Sequence, residues 1–324
     1  VAPPLYLILD LAVVGRLGLS ELAALSVATL VLATISTQLT FLSYGTTARS
    51  GRAFGAGDRD RAVAEGVQAS WIAVGVGTAI VAAGWLLAPW ITRALVPDDV
   101  VAAEAAGWLR IAVFGVPLIL LSMAGNGWMR GVQDIRRPVY FVVAGLAVGA
   151  VLCVGLVHGI GGLPRLGLQG SAWANLVGQS LTGIAFVWRL AVESGGRFRP
   201  DWPVIRAQLT MARDLILRSL SFQICFISAA AVAARFGVAE VAAHQVVLQL
   251  WDFTALLLDS LAIAAQQLVG AALGAKAFDV ARKLSGKVTA VSVGVSVVLV
   301  AILVIGIAAI PRIFTDDPQI LDAM

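Results

Sequence analysis

One carboxylate in this sequence stands where water is scarce. Asp10 lies in PPLYLILDLAVVG (3–15), with apolar residues on both sides and no basic residue within reach along a helix. An acid at membrane depth costs about 2.5–3.5 kcal/mol on insertion scales, so it is kept where it has a use. Low dielectric disfavours the charged form of a carboxyl, which lets such an acid load a proton on one side of a membrane and release it on the other. A second polar set lies far along the chain. Gln245, Gln249, Asp252, Asp259 and Gln266 are 4, 3, 7 and 7 residues apart, which is one face of a helix. Asp259 is a second candidate for a proton, a sodium ion or a cationic substrate. Asp252, its neighbour Trp251 and the three glutamines are candidates to line a substrate cleft. Thr37, Thr40, Asn175 and Gln179 form a milder polar set with the same expected role. Each has a structural alternative: a permanently neutral, hydrogen-bonded Asp10, a structurally paired Asp259, and glutamines that glue helices together.

These residues require helices in a membrane to hold them. The chain is 59% hydrophobic and only 13% charged, with a mean hydropathy of +0.91, whereas a soluble domain carries roughly a quarter charged residues. That composition defines a polytopic membrane protein. Apolar stretches long enough to span occur at 22–48, 66–91, 106–128, 138–157, 170–191, 215–234, 241–270 and 288–310, with a shorter one at 1–14. The stretch 1–14 is expected to be part of a longer first helix. Seventeen Lys and Arg fall in the connections after the second, fourth, sixth and eighth stretches, against five (Arg16, Arg93, Arg165, Arg235 and Arg312) in the others. By this positive-inside bias the segment before residue 1 is expected to lie in the cytoplasm. The nine tryptophans lie mostly near span ends, as an interfacial belt would.

Several function classes are disfavoured. No basic stripe with interleaved aromatics suggests nucleic acid, and no GxxxxGK[ST] loop suggests ATP-driven pumping. Cys153 and Cys225 stand alone in apolar runs and read as packing residues. His158 and His244 are isolated, so no metal site is expected. Gly145 and Gly149 form GxxxG, a close-packing signal, and Pro117 is expected to kink the fourth stretch.

The chain repeats itself. Shifted by 219 residues, GRLGLSELAA (15–24) falls on ARFGVAEVAA (234–243), and Gly51, Ala53, Gly55, Ala56 and Asp60 fall on Gly270, Ala272, Gly274, Ala275 and Asp279. Ile91 and Arg93 fall on Ile310 and Arg312, and VPDD (96–99) lies near TDDP (315–318). Six helices per half gives both halves one orientation, a parallel repeat, and transporters place substrate where such repeats meet. The expected organisation is an N-terminal lobe over 1–192, a basic connection over 193–214 and the start of a second lobe over 215–324. Asp10 falls on Ala229, so the halves differ in charge.

In its motifs the chain resembles the multidrug and toxic compound extrusion (MATE) transporters, in particular their DinF-like bacterial branch. The resemblance rests on PLYLILDLAVVGRLG (4–18), GRAFGAGD (51–58), NGWMRGVQDIRRP (126–138), GSAWANLVGQ (170–179), VAAHQVVLQLWDF (241–253) and LLDSLAIAAQQLVGAALGAK (257–276). It implies an all-α membrane protein of twelve helices in two six-helix lobes, with this chain lacking part of helix 1 and helices 10–12. It also implies export of organic, often cationic and aromatic compounds in exchange for protons or sodium ions, with no cofactor beyond that ion. Asp10 stands at the branch's proton-coupling aspartate, and Asp259 at the aspartate of its helix-8 LD motif. One departure stands out. Family members often carry Asn and Asp on helix 5, whereas 142–157 reads VVAGLAVGAVLCVGLV, so a thinner polar network is expected around Asp10. The resulting expectation is a monomeric antiporter of the bacterial inner membrane that expels small organic molecules. A lipid or lipid-linked sugar flippase is the alternative. An intramembrane prenyltransferase is disfavoured because Asp252 and Asp259, seven apart, sit about 10 Å from each other along a helix, too far to share magnesium.

Overall fold

A computed structural model describes residues 2–306, without the side chains of 2–4, 238, 239, 241 and 242. Within them the chain forms α-helices and no strand: α1 (Ala2–Val14), α2 (Leu19–Gln38), α3 (Phe41–Gly55), α4 (Arg59–Leu95), α5 (Asp99–Ala112), α6 (Val116–Gly131), α7 (Arg136–His158), α8 (Leu168–Ser194), α9 (Trp202–Ala233), α10 (Val238–Gly274) and α11 (Phe278–Ile305). Seven helical stretches are long and apolar enough to cross a membrane, counting α2 with α3 and α5 with α6 as one each. The shorter α1 and the more polar α8 are the two expected spans outside that group. The all-α polytopic architecture read from composition is the architecture observed. Ile310, Arg312 and the 315–318 match lie outside the described residues.

Two spans are broken, for identifiable reasons. At Leu39–Thr40 the backbone tightens to i→i+3 bonds: Leu39 N–H to Ser36 O, Thr40 N–H to Thr37 O and Leu42 N–H to Leu39 O, at 3.1–3.3 Å. The second break is the expected proline kink. Val113–Gly115 forms a single 3₁₀ turn, and Pro117 sits in the first turn of α6, where its missing N–H has no partner to lose.

The chain divides into two compact units, Val1–Arg213 and Asp214–Met324. The expected connection over 193–214 contains both irregular and helical chain and ends at the boundary between the two units. Only Gly195–Asp201 is irregular, and α9 begins at Trp202, because Pro203 suits a first helical turn and does not break it.

In the first unit, α7 and α8 meet through small residues. A Cβ on Gly145 would stand 2.7 Å from Gly178 O, and one on Gly178 would stand 2.8 Å from Gly145 O and 3.2 Å from Gly149 Cα. The backbones touch, as GxxxG predicts. The irregular segment before α9 is tied to α4. Gln68 donates to Arg199 O (3.0 Å) and accepts from Asp201 N–H (2.8 Å), and Trp71 Nε1 donates to Phe198 O (3.2 Å). Beneath it, Arg49 of α3 makes a two-pronged pair with buried Glu65 of α4 (2.6 and 2.8 Å), and Gln208 of α9 donates to the same carboxylate at 2.8 Å.

The second unit packs α10 on α11. It repeats the turns of the first with the 219-residue offset. Gly18 and Gly237 precede their helices with similar backbone angles, φ 167° and ψ 172° against φ 156° and ψ 178°. The α3–α4 turn, Gly57 N–H to Phe54 O and Asp58 N–H to Ala53 O, returns as Lys276 N–H to Leu273 O and Ala277 N–H to Ala272 O. Gly57 has φ 78° and Lys276 φ 56°.

Candidate functional site

Asp10 sits in the last turn but one of α1 and is 1% exposed. Four helices of the first unit converge on it. Cys153 of α7, fully buried, donates its Sγ–H to Asp10 Oδ1 at 3.2 Å. Ser171 of α8 lies beside the carboxyl and accepts a hydrogen bond from Trp108 Nε1 of α5 at 3.2 Å. Trp108 and Ser171 are both 0% exposed, so the carboxyl is backed by a dry wall. One turn before Asp10, Tyr6 leans on Gly149: a Cβ there would stand 3.3 Å from the tyrosine ring. The Tyr6 hydroxyl neighbours the Asn175 side chain. That hydroxyl and Asn175 Oδ1 are buried without a well-formed hydrogen-bond partner among the described residues. Buried polar atoms are rarely left so.

Helix α7 carries no Asn or Asp, but it still supplies a polar partner for Asp10, through Cys153. The cysteine is buried as expected, yet it also donates a hydrogen bond. Gly145, Gly149 and Cys153 recur every four residues, so they share one helical face. That spacing was the available signal. Tyr6, Trp108 and Ser171 carried none, because contacts between distant helices leave no local pattern.

Of the candidate cleft residues, Asn175 belongs to this pocket. Gln179, one turn on, is partly buried, with its Cβ near Gly115. Thr37 and Thr40 donate to carbonyls of their own helix, Ala33 O (2.9 Å) and Ser36 O (3.4 Å), at the α2–α3 break. The other six lie on α10 in the second unit. Gln245, Gln249, Trp251 and Asp252 are exposed, and Asp259 and Gln266 are partly buried. Trp251 meets Phe226 edge-on, ring centroids 5.0 Å apart. Neighbouring Gln267, not Gln266, is the buried glutamine of this helix, at 8% exposure.

A buried acid among closely packed apolar helices, in a chain whose sequence repeats at a 219-residue offset, defines a multi-pass membrane protein. Comparison with known proteins gives the family. The MatE family model matches residues 2–154 and 215–324, and the chain belongs to the MatE (MATE) family. It is 30% identical to Protein DETOXIFICATION 44, chloroplastic, of Arabidopsis thaliana, across 99% of this chain and 63% of that protein. It is 31% identical to DNA damage-inducible protein F of Escherichia coli (strain K12), across 84% of this chain and 60% of that protein. A MATE protein crystallised in a bent conformation shares the fold with a TM-score of 0.86 at 21% identity, over 99% of this chain and 73% of that one. The chain thus spans about three fifths of the length of these curated relatives. Membership in this family sets the prenyltransferase reading aside.

Proposed function

We propose that this chain is part of a secondary-active antiporter that exports small organic compounds, chiefly cationic and aromatic ones, across a bacterial inner membrane in exchange for protons. The observation that carries the reading is the buried Asp10 carboxyl, met by a thiol donor and by no basic residue among the described residues. An acid in that setting gains or loses a whole charge with one proton, and the packing of α1, α5, α7 and α8 around it responds to that change. Alternate exposure of the pocket to the two sides then converts a proton gradient into movement of the transported compound. The thiol weighs toward a proton over sodium, since a hard cation prefers oxygen partners. Asp259 serves as the second ionisable position. Asp252, Trp251, Gln245, Gln249 and Gln266 supply the polar and aromatic contacts for substrate. The basic connections face the cytoplasm, by the positive-inside bias.

The test uses the full-length protein in liposomes loaded with a fluorescent organic cation. An imposed pH gradient is expected to drive transport, and a sodium gradient at equal pH is not. Transport driven by sodium alone would overturn the proton assignment. Transport indifferent to either gradient would overturn the antiporter reading.

A further inference from the structure

Two cavities adjoin on the α4 face beside the Gly195–Asp201 segment, and neither touches the Asp10 pocket. The larger, about 770 Å³, is lined by Ala64, Val67 and Gln68 of α4 and by Arg197, Arg199 and Trp202. The smaller, about 520 Å³, shares Ala64, Val67 and Arg197 and adds Arg61.

Their depth can be read from α4. This helix has 37 residues, about 55 Å at 1.5 Å per residue, longer than a bilayer with its headgroups, about 40–45 Å. Trp71 and Trp90 are exposed on it, at 42% and 77%. Their separation along the helix is about 29 Å, close to the 30 Å or so of a hydrocarbon core. Two tryptophans at that spacing mark the two interfaces. Ala64, Val67 and Gln68 lie one to two turns outside Trp71, which is the level of lipid headgroups.

The charge fits that level. Among the described residues Arg61, Arg197 and Arg199 form no ion pair, while two of the three carboxylates lining the cavities, Glu193 and Asp201, are engaged. Glu193 holds Arg59 and Arg189, and Asp201 Oδ1 accepts from Val204 N–H at 3.4 Å. Asp60 is the other carboxylate on the smaller cavity. Guanidinium groups match phosphate oxygens in geometry as well as charge. Trp202, 72% exposed, adds an indole suited to the boundary between headgroup and chain.

We propose that this pair of cavities binds the headgroup of an anionic phospholipid, with Arg197 and Arg199 on the phosphate, Trp202 at the glycerol level and the acyl chains along α4. The free cations, the apolar wall and the interfacial depth together select a lipid phosphate over a soluble anion. The lipid also clamps the Gly195–Asp201 segment against α4, beside the start of α9.

The test is native mass spectrometry of the detergent-purified full-length protein, titrated with phosphatidylglycerol, phosphatidylcholine or inorganic phosphate. Phosphatidylglycerol adducts are expected to persist to higher collision energy than phosphatidylcholine adducts. R197Q/R199Q is expected to lower phosphatidylglycerol occupancy about tenfold, R197K/R199K to retain part of it, and R235Q to leave it unchanged. Matching circular dichroism of the variants shows that they fold. Equal binding of the two lipids, undiminished phosphatidylglycerol binding by R197Q/R199Q, an equal loss in R235Q, or displacement of the lipid by millimolar inorganic phosphate would each overturn the proposal.

Discussion

Cys153 Sγ donates to Asp10 Oδ1 across 3.2 Å, joining α7 to α1 in a spot where both side chains are at most 1% exposed. The contact is the direct polar link between the acid and the helix that packs most closely on α8. A hydrogen bond of this kind is worth about 1 kcal/mol net. Cys153→Ala is therefore expected to slow gradient-driven efflux about fivefold in proteoliposomes, and Cys153→Ser to keep most of it. Equal rates for the alanine variant and wild type would show that the contact has no part in coupling.

The α7–α8 seam is predicted to tolerate no added carbon. Gly145→Ala puts a methyl 2.7 Å from the Gly178 carbonyl, and backbone cannot move away as a side chain can. Overpacking of this sort costs about 1–3 kcal/mol. Thermal unfolding in detergent should show a lower midpoint for Gly145→Ala. Gly75→Ala on α4, where a Cβ meets nothing within 4 Å, should be neutral or slightly stabilising.

Much of this was legible in the chain itself. The spans came from hydropathy, because the bilayer constrains it directly. The repeat announced its shared turns, and Gly57 and Lys276 adopt the same left-handed backbone 219 positions apart. Asp10 stood out for its apolar neighbours alone. Its partners did not, since Cys153, Ser171, Trp108 and Tyr6 are brought together by packing of helices far apart in sequence. Glu65 was equally hidden. Arg49 looked like one more cytoplasmic charge, and only the packing of α3, α4 and α9 gives it a buried carboxylate to hold.

That buried pair makes its own prediction. Glu65→Gln leaves Arg49 with a neutral partner and weakens the contact to Gln208, a loss of about 1–3 kcal/mol. Arg49→Gln should cost a similar amount, and the double variant less than the sum, because neither charge is then left alone. Additive losses in thermal or denaturant unfolding would show the two residues act independently.

The repeated turn predicts a gain. Lys276 pays the steric strain of a positive φ that Gly57 avoids in the matching turn. Lys276→Gly is expected to stabilise by about 0.5–1 kcal/mol, and Gly57→Ala to destabilise by a similar amount. Unfolding midpoints that move in the opposite directions would contradict the shared geometry.

The central claim is that Asp10 exchanges the coupling proton. The most direct measurement compares wild-type and Asp10→Asn full-length protein in liposomes carrying an inward pH gradient. Both efflux of a fluorescent cation and the accompanying proton flux are recorded. Asparagine keeps the shape and cannot titrate, so gradient-driven efflux and proton flux are expected to fall together, by at least tenfold, while the protein stays folded. Unchanged efflux and proton flux in Asp10→Asn would contradict it.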